Sequence, residues 1–388
     1  LNTMSRPQPP TNSAKHTDNN LDFIRLLAAL AVLISHSYPL YANPAEPLAL
    51  LTGSITLGTF AVYIFFIVSG FLVAQSWNRD PDPVRFSIRR ALRLLPGLYV
   101  FLFISTVFVG PLLTELPLSE YFSAARVSGY VWQLGIFWLQ GYLPGVYEHN
   151  VFPIYFNGSL WSIRIEVACY IVALVLGIVG VLSSKAATTA FALVAFVAYY
   201  YATYFVSGTH GFLNMEMKQS LDVAAYFYAG SMLFHWWPKL PKLHGAYALA
   251  TLIAILTLGG SRLQPVLHLA LPFLILSIAF HPVKILSFAA SRGDFSYGIY
   301  VYSFPVQQTV MHFFGHGISF AAFITLSLIG TMACAFLSWH VVERPALQLK
   351  PTRRNSRRPA DDRILYPLYA KNEHLTLPQF KSPGGEGP

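Results

Sequence analysis

LDFIRLLAALAVLISHSYPLY, Leu21 to Tyr41, decides the fold. It is long and apolar enough to cross a bilayer as one helix, since about 20 residues rising 1.5 Å each span a hydrocarbon core of about 30 Å. Yet it carries Asp22, Arg25 and His36. At about 100° per residue, Arg25 and His36 share one face, roughly 16 Å apart along the axis, and Asp22 lies on that face too. Ionisable groups in a hydrocarbon-embedded helix are costly, so a line of them faces a protein interior or a wet cavity and marks a candidate functional site. Each also has a plainer reading. A lone intramembrane histidine commonly serves as a structural hydrogen-bonding group, and an arginine near a helix end can snorkel to the headgroups.

The remaining chain is of the same kind. Of 388 residues 54% are apolar and 11% charged, with a mean hydropathy of +0.49, which excludes an ordinary soluble domain. The apolar runs are about twenty residues long and do not alternate, so helices, and not a barrel, satisfy the backbone. The expected fold is an all-α polytopic membrane protein, a bundle of about ten transmembrane helices at 21–41, 58–76, 94–113, 159–183, 186–206, 221–237, 244–260, 265–281, 294–314 and 318–342. A further aromatic segment, Tyr130 to Tyr147, is broken by Gly135, Gly141, Pro144 and Gly145 and reads as re-entrant or interfacial. Most Lys and Arg fall in alternate loops, with little more than Arg126, Lys218 and Arg262 on the opposite side, so the positive-inside bias gives N-in and C-in. Residues 1–20 read as a polar cytoplasmic tail without a removable signal peptide, 21–343 as the transmembrane domain, and 344–388 as a basic, mostly disordered cytoplasmic tail. The net charge of +9 sits in short stretches beside apolar runs, which points to membrane topology and membrane lipids and away from nucleic acid. Cys169 and Cys334 both lie inside apolar runs, with no disulfide framework and no CxxC metal pattern.

Three other stretches carry candidate chemistry. In RFSIRRALRLLPGLY, Arg85 to Tyr99, the arginines at 89, 90 and 93 bracket one helical turn. Guanidiniums so placed suit the phosphates of a large anion, and anionic lipid headgroups would satisfy them equally. In NGSLWSIRIEVACY, Asn157 to Tyr170, Glu166 lies about two turns into its span, at the depth counted for His36. It either pairs with His36, fixing the imidazole tautomer, or pairs structurally with Arg164 or an aspartate. In DFSYGIYVYSFPVQQ, Asp294 to Gln308, Tyr297 and Tyr300 share a face, as interfacial belt residues or as part of a site, and Gly298 permits close helix approach. His312 and His316 stand four apart without a third ligand, so no metal site is expected. Trp132, Trp138, Trp161 and Tyr142 can stack on sugar rings or form a belt.

Taken together these stretches resemble the acyltransferase 3 family of integral membrane acyltransferases. The resemblance rests on Leu21-Asp22-Phe23-Ile24-Arg25 with His36, on the second span from Gly58 to Ser76, and on Arg90-Ala91-Leu92-Arg93 followed by Pro96 and Tyr99. It rests also on Ser159-Leu160-Trp161-Ser162 with Glu166, on Phe295-Ser296-Tyr297-Gly298 with Tyr300, and on Glu343-Arg344-Pro345. It implies a ten-span bundle in the bacterial cytoplasmic (inner) membrane that moves an acyl group, commonly acetyl, from cytoplasmic acyl-CoA to a hydroxyl of an extracytoplasmic glycan or lipid-linked sugar. It carries over Arg25 and His36 as the essential first-span pair, Arg90 and Arg93 as donor-side arginines, and Glu166 as a further functional position. Ser303 stands where many members have a histidine, and no hydrolase-like domain is fused to the bundle.

The resulting expectation is an acyl-CoA-dependent O-acyltransferase with acetyl-CoA as co-substrate and no metal. His36, Glu166 and Arg25 would be catalytic; Arg25, Arg89, Arg90, Arg93, Tyr297 and Tyr300 would hold the donor; Trp161 and Arg164 would meet the acceptor. The pantetheine arm is expected along the polar face of the first helix, delivering the thioester to a His36 oriented by Glu166. The rivals are a proton-coupled transporter of a sugar or other small solute, which buried Arg, His and Glu describe equally well, and a lipid-binding scaffold without catalysis.

Overall fold

The computed structural model describes residues 20–123, 141–208, 210–212, 215–281 and 293–351. Arg126, Trp132, Trp138, most of the 130–147 segment and most of both tails lie outside them. Among the described residues the chain is helical, apart from two isolated bridges and a two-residue antiparallel ladder of Gly211–Phe212 with Met215–Glu216. The helices are α1 (Leu21–Leu40), α2 (Pro47–Thr52), α3 (Leu57–Arg79), α4 (Pro83–Leu113), α5 (Leu118–Ser123) and α6 (Leu160–Ile178). They continue with α7 (Lys185–Phe205), α8 (Met217–Trp236), α9 (Gly245–Leu256), α10 (Gly260–Ala279), α11 (Ser296–Phe314) and α12 (Phe320–Gln348).

A helix falls on every expected span. Seven of them, α1, α3, α4, α6, α7, α10 and α12, are long and apolar enough to cross a membrane. The chain is therefore a multi-pass membrane protein. Several boundaries differ from expectation, two of them with a clear local cause. α4 starts eleven residues before Leu94, because Asp82 caps it through its Oδ1, which accepts the Arg85 N–H at 2.7 Å, and Pro83 fits the first turn. The arginine stretch is thus the first part of a long helix. α9 covers only 12 residues before Gly259 and Gly260, with φ of +57° and +55°, turn the chain.

The centre of the bundle is the crossing of α3 with α8, and it is set by two glycines. A Cβ on Gly70 would lie 1.8 Å from the Phe227 carbonyl oxygen, and one on Gly230 would lie 2.1 Å from that of Ile67. Backbone therefore meets backbone, as small residues allow between membrane helices. Ser231 adds a hydrogen bond from its Oγ to the Gly70 carbonyl at 3.0 Å. α1 lies between α3 and α11, while α7 and α12 turn exposed Leu193, Val197, Ile329 and Leu337 outward, as a lipid-facing surface requires.

Residues 141–159 form irregular backbone, as the glycine and proline breaks predict for their first part. Parts of this segment are held inside the bundle, while His149, Ile154 and Tyr155 are exposed. Asn157 is 1% exposed and donates to the Val301 carbonyl at 2.9 Å, and Asn150 donates to the side chain and the carbonyl of Gln308. α6 consequently begins deep, level with the early turns of α11, and that depth governs where its side chains arrive.

Candidate functional site

The charge at the Arg25 end is organised by Asp294, two residues before α11. Its Oδ2 accepts from Arg25 Nη1 and from Arg93 Nη2, both at 2.6 Å, while Oδ1 accepts from the Ser296 N–H at 3.2 Å and from the Ser296 hydroxyl. The three side chains are 12–15% exposed. Asp22 stands 3.9 Å from Arg25 with its side chain 55% exposed. One carboxylate thus aims two guanidiniums from different helices at the same region.

The arginines of α4 divide by helical register. Arg85 and Arg89, four apart, turn back to Asp80 beyond the end of α3, with Arg85 bidentate at 2.9 and 2.8 Å and Arg89 at 2.7 Å. Hydrogen bonds from Arg85, helped by Arg89 and opposed by burial, hold the Asp80 carboxyl well below the usual carboxylate range. Arg89 was expected to hold the donor; it is instead buried in a clasp between α3 and α4. Arg90 and Arg93 turn to the other side. The Arg90 guanidinium lies over the rings of Tyr170 and Phe86, at 5.7 and 5.9 Å, and its Nε is buried without a hydrogen-bond partner. Lys350, just past α12, joins them. Burial first, then the charges of Arg93 and Arg90, bring it down to about 8.

A cavity of ≈ 40 Å³ opens among these groups, bounded by Arg25, Arg93, Ser69, Glu166, Tyr297 and Tyr300 with apolar side chains of α3 and α4. Glu166 accepts the Ser69 hydroxyl at 3.0 Å and the Tyr170 hydroxyl at 2.5 Å. Tyr297 donates to the Leu94 carbonyl at 2.9 Å, and the Tyr300 hydroxyl is shared with Ser162 at 2.5 Å. Both tyrosines face the cavity with their hydroxyls already bound. Trp161 and Arg164 line neither this cavity nor the groove at the His36 end.

His36 sits at the other end of α1. Its ring meets the edge of Phe304 at 5.3 Å, and its Nδ1 is enclosed without a hydrogen-bond partner. It opens on a separate groove. The expected hydrogen bond with Glu166 is absent, and the reason is the sunken start of α6. Counting two turns from a helix end put Glu166 level with His36; two turns from a recessed end bring it to Arg25 instead. The expected polar path along α1 is also missing. Between Arg25 and His36 that face carries Ala28, Ala29, Val32 and Leu33, each at most 2% exposed, so packed apolar side chains separate cavity from groove. His312 and His316 do not face each other; their rings pack on Tyr147 and Tyr41 respectively.

A family profile described as an acyltransferase domain matches residues 18–340, which include every group of the site named above except Lys350. The chain belongs to the acyltransferase 3 family. An "O-acetyl transferase" of Shigella phage Sf6 is 29% identical over 340 residues, covering 85% of this chain and 96% of its own. "Nodulation protein 10" of Rhizobium leguminosarum bv. viciae is 27% identical over 360 residues, covering 86% and 94%. No solved structure matches. Of the positions carried over from the acyltransferase 3 family, Arg25, Arg93 and Glu166 share the cavity, Arg90 stands beside it on Tyr170, and His36 lies apart. Ser303, at the departure from the family pattern, is buried and precedes the Phe304 that packs on His36.

Sequence reading missed Asp294 and Lys350. Asp294 began a quoted stretch, but its partners are 269 and 201 residues away. Lys350 looked like one more basic tail residue. Its signal was position, directly after a helix whose Glu343 is buried.

Proposed function

We propose that the protein transfers an acyl group, most simply acetyl, from acyl-CoA on the cytoplasmic side to a hydroxyl of an extracytoplasmic glycan or lipid-linked sugar. The observation that carries this reading is the polarity of α1: clustered cations with a shared carboxylate at one end, and at the other an imidazole whose Nδ1 has no partner. The name of the Sf6 relative supplies the O-acetyl group. Ten spans, N-in and C-in, in a bacterial inner membrane complete the proposal, with α8, α9 and α11 as the spans that length or composition alone does not select.

In this reading Arg90, Arg93, Arg25 and Lys350 receive the phosphates of CoA, and Asp294 holds Arg25 and Arg93 side by side and correctly aimed. Arg89 has a structural role. Glu166, held by Ser69 and Tyr170, faces the donor end and forms part of its wall. At the His36 end, the acceptor hydroxyl oxygen attacks the thioester carbonyl carbon. The C–O bond forms, the C–S bond breaks, and the hydroxyl proton passes to His36 and from there to the departing CoA sulfur. The apolar segment of α1 between the two ends has to part from its neighbours for the acyl group to pass.

Purified protein with labelled acetyl-CoA and sugar acceptors tests the proposal. His36→Ala is expected to lower transfer by about 10² to 10⁴ while leaving the fold intact. Transfer at the wild-type rate in that variant overturns the mechanism.

A further inference from the structure

We propose that the groove at the His36 end seats the acceptor and that the part it takes is an uncharged sugar; this rests on the acyltransferase reading above. The groove is an open depression of ≈ 490 Å³, within the range of small-molecule sites, whereas the cavity at Arg25 holds only ≈ 40 Å³. Its polar lining comes from Ser35, His36 and Tyr38 on α1 and from Asn43, Glu46 and Thr56 on the connection to α3. An alanine and two prolines complete the wall. Hydroxyl, amide and imidazole groups that both donate and accept suit a polyhydroxylated ligand.

Charge narrows the class. Among the described residues no lysine or arginine lines the groove, and the one carboxylate among its lining residues belongs to Glu46. That side chain is 6% exposed and fully employed in shaping the site. Its Oε1 accepts from the Ser35 hydroxyl at 3.1 Å and from the Leu57 N–H at 2.8 Å, and its Oε2 accepts from the Ala49 N–H at 2.6 Å. Glu46 therefore ties the residue next to His36 to the first turns of α2 and α3 and is not available as a base. His36, whose ring lines the groove and whose enclosed Nδ1 makes no hydrogen bond, is the basic side chain left to receive a hydroxyl proton. An acceptor bearing a carboxylate or phosphate would meet the side chain of Glu46 with no lysine or arginine among the described lining residues to offset it. The donor end has the opposite character, so charge sorts the two substrates to opposite ends of α1.

The floor of the groove is fixed in shape. Ala42 adopts φ of +57°, a conformation disfavoured for alanine, and it is held there by the Ala42 N–H to Pro39 carbonyl bond at 3.1 Å and the Asn43 N–H to Tyr38 carbonyl bond at 2.7 Å. A preformed pocket binds without first paying to order a loop.

The test uses purified full-length protein, labelled acetyl-CoA, and methyl glycosides of neutral hexoses and 6-deoxyhexoses beside the matching uronic acid glycosides. A neutral glycoside is expected to accept acetyl in a His36-dependent manner, at least about tenfold better than its uronate. Asn43→Trp should raise the acceptor KM about tenfold or more and keep the acetyl-CoA KM within about twofold. Asn43→Lys should move the preference toward the uronate. A uronate taken as well as its neutral partner, or an Asn43→Trp acceptor KM equal to wild type, overturns the assignment of the groove while leaving the acyltransferase reading standing. Absence of His36-dependent transfer to any glycoside overturns the acyltransferase reading and the groove assignment with it.

Discussion

Replacing Asp294 by Asn removes the carboxylate that Arg25 and Arg93 both hydrogen-bond, and the consequence can be worked from their geometry. Both guanidiniums approach the same Oδ2 at 2.6 Å, in side chains 15% and 12% exposed. With charge centres about 4 Å apart, each pair is worth about 4 kcal/mol at an effective dielectric of 20, before the desolvation of all three groups takes much of that back. Removing only the acid leaves the desolvation in place and sets two cations against each other, so the loss should reach about 3–5 kcal/mol. In a Cys334→Ser background Cys169 provides the assay, because it is 4% exposed in the folded bundle and a thiol-specific fluorophore should reach it on unfolding. The midpoint of thermal unfolding in detergent should fall clearly for Asp294→Asn. The paired variant Arg93→Ala with Asp294→Ala should lose less than the sum of its parts by about 1 kcal/mol or more. An Asp294→Asn protein with the wild-type midpoint, or strict additivity in the pair, would refute the shared clamp.

Arg89→Ala should lower the unfolding midpoint while leaving the acetyl-CoA KM near wild type, and Arg90→Ala should raise that KM about tenfold, as steady-state kinetics on the two variants will reveal. Lys350 is protonated below about 8 and neutral above it, so affinity for CoA should weaken as pH rises through that value. Isothermal titration between pH 7 and 9 checks this, and Lys350→Arg should flatten the profile because arginine keeps its charge. Gly70→Ala and Gly230→Ala drive a methyl group into a facing backbone carbonyl and should each prevent accumulation of folded protein, scored by the detergent-soluble yield.

Periodicity and hydropathy made the helices legible, since hydrocarbon imposes length and composition on anything that crosses it. The positions of Arg25 and His36 on one face of α1 were legible for the same reason. What lay beyond reach was the level at which each helix begins. Glu166 was counted from an end assumed to be at the surface, but Asn157 and Ser162 anchor that end to Val301 and Tyr300 inside the bundle. The division between Arg89 and Arg90 was closer to hand. Asp82-Pro83 marks the start of α4, and from it the four-residue spacing of Arg85 and Arg89 onto one face can be read. Asp294 was not recoverable, because long-range pairing of a carboxylate with two arginines leaves no local pattern.

The four apolar side chains between Arg25 and His36 have one more consequence. A membrane that stores an ion gradient tolerates no continuous file of water through a protein, because protons move along such a file faster than any acyl chemistry proceeds. Ala28, Ala29, Val32 and Leu33, each at most 2% exposed, interrupt any such file along α1, and two of the four are alanines, the smallest side chains that can do so. In the proposed transfer a slender chain carrying a thioester displaces them and lets them close behind it. On this view α1 is an electrical insulator with a slot in it, and the small side chains set how briefly the slot stays open.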